Sequence, residues 1–174
     1  MKIALSEGIM KCVSTDTIRQ VVRSFDERDA VHRSSYSGNG EPVEDWKETC
    51  DVLTSAILSV VDDAIKRNNS LVLEGVHLQP TNDILERWRR KGGESIGILL
   101  VVTDPNAHQE LIDLRGKFAR KPATAQIQSF QRIRTIQEAM IEMANQSDDW
   151  MIFEQNLQPN PVDVVWKYFL DKKS

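Results

Sequence analysis

The sequence predicts an α/β protein built on a doubly wound parallel sheet, and two observations carry that prediction. Short continuous apolar runs at 71–73 (Leu-Val-Leu) and 96–102 read as strands buried on both faces, as parallel sheets require. Longer stretches with apolar residues at three-and-four spacing, clearest from 46 to 67, read as amphipathic helices. Strands alternating with helices give parallel crossover units with helices on both faces of one sheet.

Taken in order, residues 1–9 fit either a short strand or the tail of a helix. Residues 12–14 read as a strand end, and Thr15-Asp16-Thr17 starts a helix capped by Ser14 or Asp16, with Ile18, Val21 and Val22 facing inward. A polar loop runs from Asp26 to Pro42 and holds Ser34-Ser35-Tyr36 and Gly38-Asn39-Gly40. Loops of that length inside a domain are commonly binding loops. In the long helix Val52, Leu53, Ala56, Ile57, Val60, Ala64 and Ile65 share one buried face, and Asn68-Asn69 ends it. The strand at 71–73 runs into Glu74 and Gly75, with Pro80 stopping the segment. A helix at 82–91 breaks at Gly92-Gly93, and the strand at 96–102 closes at Thr103-Asp104-Pro105. Helical character runs from 107 to about 118 and returns from 125 to 145. A last strand covers 150–153, and Val162, Val165, Trp166 and Phe169 mark a closing helix. No repeat or second domain interrupts residues 1–174.

At 174 residues with 40% apolar and 28% charged side chains, one soluble globular domain is expected. A net charge of −4 argues against a general nucleic-acid binder. Two cysteines are too few for a disulfide framework or a four-cysteine zinc site. No apolar run has the length of a membrane span and the first residues lack a secretory layout, so a cytoplasmic protein is expected. Glu74 falls at a strand's carboxyl end, where open α/β sheets bind ligands. An unpaired acid buried there would be costly, so Glu74 serves either a phosphate and metal-water site or an ion pair with an arginine of the basic segments.

Three segments, Val13-Ser-Thr-Asp-Thr-Ile-Arg19, Leu73-Glu-Gly-Val-His-Leu78 and Arg132-Ile-Arg-Thr-Ile-Gln137, together resemble the 2-phosphoglycerate kinase family of P-loop kinases, and its eukaryotic, plant-like branch most. His32-Arg-Ser-Ser-Tyr36 is similar to the family's loop after the first segment, and the resemblance runs from about Ala4 to the end. It implies ATP and Mg²⁺, and transfer of a phosphoryl group to a small phosphorylated acid such as 2-phosphoglycerate. On that pattern Asp16 orients or deprotonates the acceptor hydroxyl, and Arg19 binds the acceptor phosphate bidentately. Ser34, Ser35, Tyr36 and His77 line the acceptor, and Glu74 meets the metal's water shell. Arg120, on a lid, and Arg132, on the next helix, neutralise the transferred charge. Arg115 serves the nucleotide phosphates, and Gln155 and Asn156 the base. Plainer readings stand beside these: a helix cap for Asp16, solvated surface residues for Arg19, Ser34, Ser35, Tyr36 and the basic lid, and a loop histidine satisfied by backbone for His77. His77 has no companions at metal-ligand spacing, so no direct metal site is expected.

The glycine-rich phosphate loop G-x-x-x-x-G-K-[ST] does not occur in the sequence. In the family it precedes the Ser-Thr-Asp segment by about one helix, and its strand lies between those matching 71–73 and 96–102. The expectation is therefore a P-loop-kinase sheet whose first strand and phosphate loop are missing. Its exposed strand edges would be covered by a second copy or a missing N-terminal segment. Such a chain would be an inactive kinase as it stands; the alternative is a non-catalytic phospho-ligand-binding or regulatory protein derived from one.

Overall fold

The apolar runs do form strands, and each pairs in parallel with a strand far away in sequence. The computed structural model describes residues 9, 11–118, 127–154 and 161–171. Its elements are β1 (Lys11–Ser14), α1 (Thr15–Val22), α2 (Asp29–His32), α3 (Pro42–Lys66), β2 (Leu71–Glu74), α4 (Asp83–Arg89), β3 (Gly97–Val101), α5 (Pro105–Phe118), α6 (Phe130–Asn145), β4 (Trp150–Glu154) and α7 (Pro161–Asp171). β1 pairs with β2, Lys11 opposite Leu71 through Ser14 opposite Glu74. β3 pairs with β4, Gly97 opposite Trp150 through Val101 opposite Glu154. Parallel pairs need long crossovers, supplied here by α1–α3 and by α5–α6.

Among the described residues the strands stand as two separate parallel pairs, and β2 and β3 share no ladder. Burial follows from that. Leu71, Val72 and Leu73 are half-buried rather than enclosed on both faces. In β3 Leu99 and Val101 are buried, whereas Leu100 between them is 66% exposed.

Helix α3 is the element the others pack on. Trp46, Cys50, Leu53, Ile57, Val61 and Ala64 are buried along it, a spacing that keeps them on one stripe. Pro42 opens it with a φ already suited to the first turn. Ile18 of α1 joins Leu53 and Ile57 in a cluster that also takes Val13, Leu73, Leu78 and Ile84. Trp46 and Cys50 meet Ile136 of α6, with Tyr36 and Met140 at the margin. Met140 continues into a third cluster, where α6 covers Leu99, Val101 and Ile152. Through Met140, α6 therefore joins the two strand pairs by way of α3.

Three local expectations are corrected. Ser14, not Asp16, caps α1, its hydroxyl accepting from the Asp16 N–H at 3.2 Å. Val21 faces solvent at 58% exposure, because Ile18 and Val22, four apart, already fill the inner face. The 26–42 loop contains α2, whose four residues are too few to show a period. No helix among the described residues is long and apolar enough to cross a membrane.

Candidate active site

The register of β1 and β2 sets Ser14 beside Glu74, so both strands end together and Asp16 and Gly75 lie just beyond. Gly75 has φ +136°, and a Cβ on it would sit 1.9 Å from Thr15 Oγ1. Only glycine permits this approach. Trp46, buried in α3, donates from Nε1 to the Val76 carbonyl at 2.8 Å and fixes the same turn from below.

The turn delivers His77 into the interior, where it is 2% exposed. Its Nδ1 lies 3.0 Å from Thr15 Oγ1 and its Nε2 2.9 Å from Ser35 Oγ, which is itself buried. Burial first, and then the Arg19 charge, push its pKa down to about 4, so the ring is neutral near pH 7. A neutral imidazole donates through one nitrogen and accepts at the other, so one hydroxyl donates to the ring and the other receives from it. His77 thus ties the loop carrying Ser34, Ser35 and Tyr36 to the end of β1. Its partners are side-chain hydroxyls rather than backbone.

Arg19 stands one turn along α1, with 15% of its side chain exposed. Nη1 donates to the Arg33 carbonyl at 3.2 Å, and Nη2 lies 3.3 Å from Asp16 Oδ1. Nε is buried and has no partner among the described residues. Burial and the neighbouring Arg23 lower the Arg19 pKa, opposed by Asp16 and Tyr36. Arg23 itself is committed to backbone, with Nε on the Val31 carbonyl at 3.0 Å and Nη2 on the His32 carbonyl at 2.8 Å. Asp16 is 62% exposed, and its Oδ1 lies 4.0 Å from His77 Nδ1, beyond hydrogen-bond reach. Asp16, Arg19, Ser35, Tyr36 and His77 therefore gather at one end of one strand pair. Ser34 joins them on the loop, its carbonyl closing a turn to the Ser37 N–H at 2.9 Å.

Glu74 departs from expectation. It is exposed and makes no hydrogen bond or ion pair among the described residues, so neither a buried acid nor an arginine pair describes it. The short β1–β2 pair ends in solvent, and an exposed carboxylate there carries little desolvation penalty.

The third sequence segment is used differently. Arg132 donates from Nε to the Tyr36 carbonyl at 3.2 Å, from Nη1 to the Gly40 carbonyl at 2.8 Å and from Nη2 to Asp45 Oδ2 at 2.5 Å. Asp45 also accepts from the Gly40 N–H at 3.1 Å and lies 3.8 Å from Arg33. The loop wraps this carboxylate so closely that a Cβ on Gly38 would fall 2.2 Å from Asp45 Oδ2. Arg134 donates to the carbonyls of Val102 and Thr103 at 2.5 and 3.0 Å, and the Gln137 side chain pairs with both backbone groups of Val102. Arg115 is exposed on α5. Arg120, Gln155 and Asn156 lie outside the described residues. Sequence reasoning passed over Thr15, Arg33 and Asp45. Thr15 stands inside the Ser-Thr-Asp segment and could have been noticed there; the other two gain their roles only through long-range contacts.

Among the described residues no three His, Cys, Asp or Glu side chains gather closely enough to hold a cation. Glu74 alone could reach only a metal's water shell. Among the described residues no lysine bonds at this turn beside a cradle of backbone N–H groups, so these residues do not by themselves fit Mg²⁺-ATP.

The chain is similar to archaeal 2-phosphoglycerate kinases. It is 25% identical over 154 residues to that of Methanocaldococcus jannaschii, covering 82% of this chain and 49% of the relative. Against that of Methanopyrus kandleri it is 25% identical over 179 residues, covering 95% and 54%. Against that of Methanothermobacter thermautotrophicus it is 26% identical over 155 residues, covering 78% and 49%. The chain thus spans about half the length of the relatives it matches. No family model matches, and no solved structure matches.

Proposed function

We propose that this chain carries the acceptor side of a small-molecule phosphotransferase of the 2-phosphoglycerate kinase kind. It binds a small phosphorylated acid, such as 2-phosphoglycerate, at the carboxyl ends of β1 and β2. The observation that supports this reading is the meeting of Asp16, Arg19, Ser35, Tyr36 and His77 there. Arg19 takes the acceptor phosphate, its Nη2 meeting only the exposed Asp16 and its buried Nε having no partner among the described residues. Asp16 accepts from the acceptor hydroxyl. His77 is too enclosed to touch the ligand and works by holding the loop. Glu74 meets the water around a metal when one arrives with the nucleotide. Arg115, Arg120, Gln155 and Asn156 belong to the nucleotide side of this proposal, Arg132 shapes the loop, and the plant-like affinity rests on the motifs alone.

ATP supplies the transferred phosphoryl group in such enzymes, with Mg²⁺ neutralising its charge. The described residues provide no cradle for either, and we derive no transfer step through them. The flanks of β2 and β3 that carry no ladder suit an added strand, from an N-terminal segment or a second copy. On this reading the 174-residue chain alone binds its acceptor in the cytoplasm without phosphorylating it. Calorimetry with 2-phosphoglycerate in the absence of nucleotide tests the proposal: saturable binding is expected, and no binding overturns it. Formation of a bisphosphate by the purified chain with ATP and Mg²⁺ would overturn the inactive part.

A second reading, a non-catalytic phospho-ligand-binding or regulatory protein, is favoured by one contrast. The acceptor-side groups are gathered and partly open, whereas Arg132 and Arg134 are committed to backbone. The two separate when a nucleotide-binding segment is supplied: bisphosphate formation then supports the first reading, and acceptor binding without transfer the second.

A further inference from the structure

We infer that Asp16 and Arg19 form a latch that the acceptor's phosphate opens, so that phosphate recognition releases the carboxylate meant for the acceptor hydroxyl. The inference rests on the acceptor-site reading above and adds an order of events to it. Its two members differ in mobility. Arg19 is fixed, with 15% of its side chain exposed and Nη1 held by the Arg33 carbonyl at 3.2 Å. Asp16 is 62% exposed and meets Arg19 through one oxygen at 3.3 Å. It does not cap its helix, because the Ser14 hydroxyl fills that position. The other basic group near it, His77, is neutral and has both nitrogens on Thr15 and Ser35. Arg19 is thus the cation Asp16 holds, and it holds it with a single weak contact.

The guanidinium is left underused. Nη2, which Asp16 touches, and Nε, which has no partner, form one edge of the planar group. Nη2 is the donor that the exposed Asp16 reaches, and the buried Nε beside it is the unpaired donor that a phosphate's second oxygen would complete. Arg23 stands close enough to add to the positive potential while its own donors stay on the Val31 and His32 carbonyls and the Gln20 side chain. A phosphate monoester near pH 7 brings close to two negative charges and two oxygens where Asp16 brings one of each. It therefore displaces Asp16, and like-charge repulsion turns the freed carboxylate away from the phosphate. A molecule with a hydroxyl but no phosphate leaves the latch closed and Asp16 occupied.

The test uses the full chain and inorganic phosphate as the probe, by calorimetry. Asp16→Asn removes the competing charge, and phosphate is expected to bind about three- to ten-fold tighter than to the unaltered chain, the scale of an exposed ion pair. Arg19→Gln is expected to abolish binding. A structural role for Asp16, or one as a direct phosphate ligand through bound water, predicts equal or weaker binding in Asp16→Asn, and either result overturns the latch. Absence of phosphate binding in both chains overturns it as well. The Arg19 Nε–H resonance gives a second readout: it should shift on phosphate addition and stay put if the anion binds elsewhere. Failure of the acceptor reading is distinguishable. If 2-phosphoglycerate does not bind while Asp16→Asn still tightens inorganic phosphate, the latch stands and the acceptor identity falls. If 2-phosphoglycerate binds and Asp16→Asn tightens nothing, the reverse holds.

Discussion

Helices α1 and α6 both carry arginines from family-like segments, yet the two helices use them in opposite ways. Beside β1 and β2, Arg19 keeps one buried donor without a partner, and Asp16 and Glu74 point carboxylates toward solvent. On α6, Arg132 and Arg134 donate to four backbone carbonyls and one half-buried carboxylate. A satisfied arginine stabilises the fold and offers little to a ligand. An incompletely satisfied one is energetically costly to keep buried, and a ligand that completes it recovers that cost. The difference teaches that residue type and motif position do not separate a binding arginine from a structural one; the partners do.

The sharpest way to break this comparison is to remove one arginine from each helix. Arg132→Ala strips the loop of its clamp and leaves Asp45, with 15% of its side chain exposed, with the Gly40 N–H and the more distant Arg33. It should cost about 2–4 kcal/mol in urea unfolding, the scale of breaking a largely buried charge-assisted network. Arg19→Gln should cost about 1 kcal/mol or less and act on ligand binding instead. Equal losses of stability would erase the distinction.

Gly75→Ala comes next, at about 2–3 kcal/mol. The substitution strains a backbone with φ +136° and drives a methyl into Thr15 Oγ1. It should also disturb the His77 hydrogen bonds, seen as changed ring resonances. An alanine variant as stable as the parent would show that the close approach is not obligatory.

Acid provides the third test. The folded state holds the His77 pKa down at about 4, by burial first and then by Arg19, with Asp16 opposing and Arg23 adding a smaller push. An unfolded chain takes up this proton near the ordinary 6.5. The depressed folded pKa means the unfolded state binds more protons below that point. His77 therefore gives its full contribution above about 6.5, and stability falls as pH drops from there to about 4. The loss should reach about 3 kcal/mol, and His77→Gln should flatten the slope in that window. Asp26 and Asp63, lowered to about 2 by their hydrogen bonds to Arg28 and to Arg67 and Lys11, act only at lower pH. A slope unchanged by His77→Gln would assign the acid response to other groups.

Much of this arrangement was legible in the residues, and what was not has a physical pattern. The four strands and the stripe along α3 follow from local periodicity, which short-range sequence records directly. The gathering of Asp16, Arg19, Ser35, Tyr36 and His77 was readable only because two short segments matched a known order. His77's choice of two hydroxyls was not readable, since Thr15 and Ser35 lie 62 and 42 residues away from it. The reach of Arg132 to Tyr36, across 96 residues, carries no local signature either. Glu74 was misjudged because an acid after an apolar run looks buried when the strand is assumed to lie inside a wide sheet. Here that strand ends a two-stranded pair.

The smallest effect tests the quiet partner of the first region. Ser14 caps α1 with a 3.2 Å bond to the Asp16 N–H, so it sets where the first turn, and with it Asp16 and Arg19, begins. Ser14→Ala should cost about 1 kcal/mol, because an orphaned helix N–H is left to water. Fraying of that turn should also loosen the Asp16–Arg19 contact. A turn that frays places both groups less well, and the ordering cost then falls on ligand binding. Phosphate affinity should drop by about two- to five-fold on that account, while urea unfolding of Ser14→Ala alongside Arg132→Ala should show additive losses, since the two sites share no partner. Strong non-additivity would mean that the two helices are coupled through the loop, and that the division between a poised helix and a structural one is too simple.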